Sequence, residues 1–237
     1  MQTTTYQQRR GQLLTYFDRT AVESWKRLTS DVPVSGIRAT VRAGRDTMRA
    51  TLLSWLPDDL SGVRILDAGC GTGAFAIAVA ARGADVIAID LSPTLVAIAR
   101  ERAEDHRGPG TVMFRSGDML DPGLGSFDHV VAMDSLIHYR APDVVAALSG
   151  LAARTRHSIV FTFAPRTPAL TVMHTVGRLF PRSDRAPAIE PVGAAHLGSL
   201  IGADAAFAEW RQGRTQRVAR GFYTSQAKEL RREFVRG

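Results

Sequence analysis

Cysteine is almost missing from this 237-residue chain: Cys70 stands alone, so an intrachain disulfide and with it a stapled secretory scaffold are excluded. Lysine is nearly as scarce, with Lys26 and Lys228 the only two among 30 basic residues. No apolar run approaches the roughly 20 residues that a bilayer crossing requires. The N-terminus is polar and carries no secretory signal, which makes a cytoplasmic protein the expectation. His106, His129, His157, His174 and His196 fall at no metal-ligand spacing, so no protein-bound metal is expected. Internal repeats and low-complexity tracts are absent too.

What is present suits one α/β domain with an extra segment, long enough for a full core. The formal net charge of +7 favours an anionic partner: nucleic acid, an acidic membrane surface, or a carboxylate substrate. Arginine, which supplies 28 of the 30 cations, has a planar fork suited to carboxylates and phosphates. A genome rich in arginine and alanine codons yields the same counts.

The informative stretch is Val63-Arg-Ile-Leu-Asp-Ala-Gly-Cys-Gly-Thr-Gly-Ala-Phe75. Gly69, Gly71 and Gly73 follow a short apolar run and precede a helical pattern, as in a loop that cradles a nucleotide. Dinucleotide oxidoreductases space these glycines G-x-G-x-x-G; here the third comes one residue early and Asp67 precedes the loop. That variant resembles the signature of class I S-adenosylmethionine (SAM) methyltransferases. An acid for ribose hydroxyls is then needed at the tip of the next strand, and Asp90 stands there, 90 − 69 = 21 residues from the first glycine, near the roughly 20 expected. A glycine turn that merely links strand to helix predicts no such acid.

From Arg64 onward, strand-like and helix-like segments alternate, which predicts a doubly wound, Rossmann-like parallel sheet. Strands are expected near 63–67, 85–90, 111–116, 127–133 and 157–163, with helices over 74–82, 93–105, 141–153 and 194–200. A closing hairpin is expected at about 205–211 and 215–224. The Pro- and Arg-rich stretch of about 164–191 is too long for an ordinary connection and reads as a functional insertion in a domain spanning 57–237. Residues 1–56 are purely helical in pattern. Leu13, Phe17, Ala21, Trp25 and Leu28 form one stripe, with Thr20 and Glu23 as a capping box. Ile37, Val41, Met48, Leu52 and Trp55 form a second, interrupted at Gly44, with Asp46 able to cap a helix restarting beyond it. These helices read either as a static layer or as a lid over the cofactor.

Ligands in such sheets bind beyond the carboxyl ends of the strands. That places Asp67 to Gly73, Asp90 to Ser92 with Leu91 between them, Gly117 to Met119, and Met133 to Tyr139 at the site. Asp118 and Met119 have the place and type to bond and cover an adenine, although a solvated turn aspartate reads the same way. The fourth strand end, Met133-Asp-Ser-Leu-Ile-His138, lacks the Asn/Asp-Pro-Pro-aromatic motif of enzymes that methylate base amines. No second cysteine is available for pyrimidine-carbon methylation. Nucleic acid is therefore not the expected partner. His138 is the one histidine placed at a transfer site; a hydrogen-bonded structural histidine fits the same position.

Tyr16-Phe-Asp-Arg-Thr-Ala-Val-Glu-Ser-Trp-Lys-Arg27, Ile37 to Thr47, Leu136-Ile-His-Tyr139 and Phe163-Ala-Pro-Arg-Thr-Pro168 together resemble the magnesium-protoporphyrin IX methyltransferase family, in its purple-bacterial form. The resemblance implies methyl transfer from SAM to a propionate carboxylate of Mg-protoporphyrin IX in bacteriochlorophyll synthesis, with S-adenosylhomocysteine as by-product. It implies activity roles for Tyr16 and His138, cofactor contacts from Asp67, Gly69, Gly71, Gly73, Asp90, Leu91, Asp118, Met119 and Met133, and substrate contacts from Trp25, Arg166 and Met173. Magnesium arrives with the substrate. Magnesium chelatase and the acidic surface of the photosynthetic membrane are the partners it suggests. Arg45 departs from the oxygenic members, where histidine is expected. The alternatives are another small-molecule or RNA methyltransferase, or a non-catalytic SAM- or tetrapyrrole-binding protein.

Overall fold

The short apolar runs become a seven-stranded sheet. In the computed structural model, which describes residues 3–19, 36–166 and 189–233, the strands are β1 (Arg64–Ala68), β2 (Asp85–Asp90), β3 (Thr111–Ser116), β4 (Phe127–Ala132), β5 (Thr155–Phe163), β6 (Trp210–Arg220) and β7 (Tyr223–Arg232). Their order is β3-β2-β1-β4-β5-β7-β6. The first five are parallel, and β7 runs antiparallel between β5 and β6. Because β1 lies between β2 and β4, the winding reverses there, and a crevice opens at the carboxyl ends of these strands.

Among the described residues six helices flank the sheet: α1 (Thr4–Arg19), α2 (Ile37–Leu53), α3 (Ala74–Ala80), α4 (Pro93–Ala103), α5 (Ala141–Ala152) and α6 (Ala194–Ala203). Alternate strand residues face opposite ways. Leu66, Ile89, Val130 and Phe161 share a core with α5, α6 and the α1 residues Tyr6 and Leu13. Ile65, Val86, Val131 and Val160 pack with Met48 and Leu52 of α2 and with α3 and α4. The first turn of α4 forms as its sequence predicts, with Pro93 at the start and the Ser92 hydroxyl accepting from the Leu95 amide at 3.2 Å.

Three expectations need correction. Gly44 does not interrupt α2, which runs unbroken through it; the missing Cβ instead makes room for the Tyr223 ring, which any side chain there would overlap. Asp46 accordingly caps nothing and pairs with Arg49 at 2.8 Å. The closing hairpin turns at Gly221 and Phe222 rather than near Gly213. Gln212-Gly-Arg214 looks like a turn in sequence but is a bulge, where the β6–β7 register shifts between Gln212 and Thr215, the usual meaning of a glycine inside a strand. Ala205–Phe207 is a short 3-10 turn, its Ala206 amide donating to Asp204 at 2.9 Å. The capping box at Thr20 and Glu23, the rest of the first stripe, and most of the insertion lie outside the described residues. β6 is the outer edge of the sheet, exposed along its length except at Trp210 and Val218.

Candidate active site

At the carboxyl end of β1 the chain must leave the sheet and enter α3 within a few residues, and the glycine loop does so by bonding to β2. The Gly69 and Cys70 amides donate to the Ile89 carbonyl at 2.8 and 3.0 Å. The Gly71 amide donates to one oxygen of Asp90 at 2.9 Å, and the Ser92 amide to the other at 2.9 Å. Burial raises the Asp90 carboxyl, against these backbone donors, which lower it. Gly69 has φ +88°, and a Cβ would collide with Ser135 of the loop after β4; the two loops approach too closely for any other residue. Gly73 starts α3 against Phe114, packing the helix on the sheet.

Asp67 is 1% exposed. Burial, and then repulsion from Asp90, push its carboxyl up to about 7, opposed by the Ala76 amide. Its Oδ2 has no hydrogen-bond partner. An orphaned, buried acceptor of this kind fits the ammonium of an amino-acid head group, since an unpaired buried polar atom otherwise costs about 1–3 kcal/mol.

Two cavities meet at the loop and share Arg45, Gly69 and Met133 as a common wall. The first is closed by Leu13 and Phe17 of α1 and is lined by Asp90, Leu91, Met119 and His138. Asp67 lines the second. His138 is buried, and the Phe17 ring stands edge-on to its imidazole at 5.9 Å between centroids.

The other sequence candidates scatter. Tyr16 lines neither cavity and meets the site through Phe17, edge to face at 5.2 Å. Asp118 lies outside both cavities, with its Oδ1 accepting from the Tyr6 hydroxyl at 2.9 Å and from the Leu120 amide at 2.9 Å, and its Oδ2 paired with Arg10. Its carboxylate thus tethers α1: tyrosine and arginine from a helix more than a hundred residues away reach it. Tyr6 in turn stacks on Tyr139 at 4.8 Å. Arg166 is exposed, its amide donating to Val192. Trp25 and Met173 lie outside the described residues.

Sequence reasoning placed Asp134 within the Met133 to Tyr139 stretch but gave it no role. It sits at φ +53°, alone among the described non-glycine residues in having positive φ, and its carboxylate gathers four donors. Arg45 reaches it at 2.8 Å, the Tyr223 hydroxyl and Ser225 hydroxyl at 3.1 Å, and the Thr162 hydroxyl at 3.1 Å, while its own amide donates to Thr162 Oγ1 at 2.7 Å. Burial, and then the Asp134 charge, drive the Tyr223 phenol well above its usual range. Three segments of the chain, α2, β5 and β7, thereby converge on the residue after Met133.

A doubly wound sheet closed by an antiparallel hairpin, with the glycine loop at the switch point and an acid at the tip of β2, defines the class I SAM-dependent methyltransferase fold. Residues 65–158 match the family described as "Methyltransferase domain", and residues 132–232 match "Magnesium-protoporphyrin IX methyltransferase C-terminus". The magnesium-protoporphyrin O-methyltransferase of Rhodobacter capsulatus is 51% identical over 95% of this chain and 98% of its own length. That of Synechocystis is 34% identical over 70% of this chain and 73% of its own. The crystal structure of the Synechocystis magnesium protoporphyrin IX methyltransferase with bound S-adenosylhomocysteine superposes with a TM-score of 0.82 and 29% identity, covering 94% of this chain and 99% of that one. The chain belongs to the magnesium-protoporphyrin O-methyltransferase family. Among the described residues no cluster of three or more His, Cys, Asp or Glu could hold a metal ion, and no helix is long and apolar enough to cross a membrane.

Proposed function

We propose that this protein transfers the methyl group of SAM to one propionate carboxylate of Mg-protoporphyrin IX, giving the monomethyl ester and S-adenosylhomocysteine. The near-full-length identity to the R. capsulatus enzyme carries this reading, and the two joined cavities are consistent with it. When bound, SAM supplies an electrophilic methyl group on a sulfonium. Asp90 is placed for ribose hydroxyls, Asp67 for the cofactor's ammonium, and Leu91, Met119 and Met133 for apolar contact beside Gly69 and Gly71. A propionate has a carboxyl pKa near about 4.3 and is ionised at neutral pH; no strong base is needed. Orientation and exclusion of water then carry the rate, an effect that can reach roughly 7–11 kcal/mol. His138 holds the carboxylate in line, with Phe17 fixing the imidazole and Tyr16 bracing Phe17. Incubating purified protein with SAM and Mg-protoporphyrin IX and separating the products by chromatography tests the assignment; absence of a methyl ester would remove it.

Asp67 gives a pH signature. In the free protein its carboxyl holds a proton up to about pH 7, far above the roughly 3.9 of an unfolded aspartate. Folding therefore binds a proton between these values. Asp67's contribution to stability is full below about pH 4 and declines as pH rises through 7. An ammonium ligand favours the ionised form, which reverses the sign for binding. SAM affinity should rise about tenfold from pH 6 to 8, with proton release visible when calorimetry is repeated in buffers of different ionisation enthalpy. Asp67→Asn should flatten the profile; an unaltered slope would exclude Asp67 as the group.

The lid reading narrows to α1, because Met48 and Leu52 of α2 are fully buried against the sheet. α1 buries Tyr6 and Leu13 and is otherwise held by polar contacts along its length: Arg9 on Glu190 at 2.7 Å, Tyr6 and Arg10 on Asp118, and Asp18 on the Thr94 hydroxyl at 2.6 Å. Hydrogen exchange should find α1 amides less protected than those of β1 to β4, and slowed when SAM and porphyrin are added. Equal protection with and without ligands would make α1 a fixed layer. Supply of a poorly soluble porphyrin would be served by contact with an acidic membrane surface or by docking of magnesium chelatase. Cosedimentation with anionic vesicles and with chelatase subunits distinguishes these routes.

A further inference from the structure

Each of the two cavities that meet at Gly69 is lined by a side chain whose buried oxygen has no hydrogen-bond partner among the described residues: Ser135 Oγ in the first and Asp67 Oδ2 in the second. The cofactor's ammonium suits Asp67. It leaves Ser135 unexplained, because that side chain lines the cavity of His138 and not the one of Asp67. Asp90, Leu91 and Met119, which serve the cofactor in the first cavity, stand at or just beyond the ends of β2 and β3, whereas Ser135 and His138 share the loop after β4. A hydroxyl buried with nothing to bond weakens the folded state, and a ligand that supplies the acceptor recovers the loss.

Ser135 is fixed by its neighbours on both sides. Asp134 takes the left-handed turn at φ +53°, with its carboxylate bonded by Arg45, Thr162, Tyr223 and Ser225. Leu136 is fully buried, and the Tyr139 amide donates to its carbonyl at 3.1 Å. Between these anchors the backbone of Ser135 has little freedom. The glycine loop lies against it so closely that a Cβ at Gly69 would stand 3.0 Å from Ser135 Oγ, and His138, three residues on, lines the same cavity. A donor on so rigid a support loses little entropy when its acceptor arrives.

We propose that the Ser135 hydroxyl binds the reacting propionate, donating to the carboxylate oxygen that becomes the carbonyl of the ester. This rests on the methyl-transfer reading above and adds a second donor to His138. A carboxylate held at one point still rotates about its bond to the propionate chain; held at two, its plane is set and one oxygen is presented for in-line attack. That oxygen forms the new bond to the methyl carbon as the carbon–sulfur bond breaks, the electron pair of the broken bond stays on sulfur, and the carboxylate and sulfonium charges cancel with no proton transferred. The oxygen bonded by Ser135 is an acceptor before and after the transfer, as carboxylate and then as ester carbonyl, so the contact lasts through the reaction.

The test is Ser135→Ala, with steady-state kinetics, calorimetry of SAM, thermal unfolding, and fluorescence titration of Mg-protoporphyrin IX and of its dimethyl ester in the presence of S-adenosylhomocysteine. kcat/KM for Mg-protoporphyrin IX should fall about tenfold to a hundredfold, the range of a hydrogen bond to a charged acceptor. Binding should weaken more for the diacid than for the dimethyl ester, which offers only neutral acceptors. SAM affinity should stay within about twofold of the parent's. Tm should not fall, because in the free protein the hydroxyl has no partner among the described residues to lose. An unchanged kcat/KM would overturn the proposal, and so would equal weakening of diacid and dimethyl ester. A loss of SAM affinity matching the loss in kcat/KM would assign the hydroxyl to the cofactor, and a lowered Tm would assign it to the fold; either result overturns the proposal too. A parent that forms no methyl ester would instead remove the reading on which the assignment rests.

Discussion

Replacement of His138 by alanine should lower kcat by about a hundredfold or more, while SAM affinity stays within about twofold of the parent's. The imidazole lies in the loop after β4, in the cavity closed by α1, and its ring neighbour is Phe17. The acids placed for the cofactor, Asp67 and Asp90, end β1 and β2 instead, so cofactor binding and acceptor positioning reside in different segments. A carboxylate nucleophile is already ionised at neutral pH, and raising the pH should not restore the lost rate. Steady-state kinetics from pH 6 to 9 with calorimetry of SAM separates the outcomes. Recovery of the parental rate at high pH would mean that a proton-transfer step had been removed, and a parallel loss of SAM affinity would place His138 in the cofactor site.

The largest loss of stability is expected at Asp134. Its side chain is 4% exposed and that of Arg45 19%. Asp134→Ala would leave a mostly buried guanidinium without its carboxylate, and the Tyr223 and Ser225 hydroxyls without an acceptor. Removing one partner of a buried pair costs about 3–5 kcal/mol, and a chain of this size shifts roughly 2–4 °C in Tm per kcal/mol, so calorimetry should find Tm lower by about 6–20 °C. Two further variants divide the cause. Asparagine accepts hydrogen bonds and tolerates positive φ, and should recover part of the loss. Glycine relieves the backbone but supplies no acceptor; if Asp134→Gly were as stable as the parent, the φ +53° conformation would be the determinant and the hydrogen bonds incidental.

Most of the parallel sheet could be read from the chain because its signals are local. β2 and β3 begin and end where the apolar runs do, and Asp67, Gly69, Gly71 and Asp90 meet because a strand, a tight turn and the next strand tip bring them together whatever else the fold does. The Asp134 network has no such signature. Arg45, Thr162, Tyr223 and Ser225 come from α2, β5 and β7, and nothing in their own neighbourhoods states that one carboxylate joins them. Asp118 illustrates the converse, since its position after β3 was legible but its partners, Tyr6 and Arg10, depend on how α1 docks. Glycine misleads wherever tertiary packing sets its purpose: Gly44 reads as a helix break and is a seat for the Tyr223 ring, and Gly213 reads as a turn and is a bulge.

The outer strand β6 bears on how copies of this protein behave together. An eleven-residue exposed edge would ordinarily be a template for pairing with another molecule. Here Arg211, Arg214, Arg217 and Arg220 punctuate it, all exposed, and the bulge beside Gly213 breaks its register. Arg211 and Arg214 are paired with Glu233 and Glu229, each at 2.6 Å, so in two such edges brought side by side Arg217 and Arg220 are the like charges that would oppose each other across a strand pair. The scarcity of acid along β6 thereby acts as a colloidal safeguard: it keeps the sheet from extending itself from one molecule into the next, and it weakens as salt shortens the screening length from about 10 Å at 0.1 M to about 3 Å at 1 M.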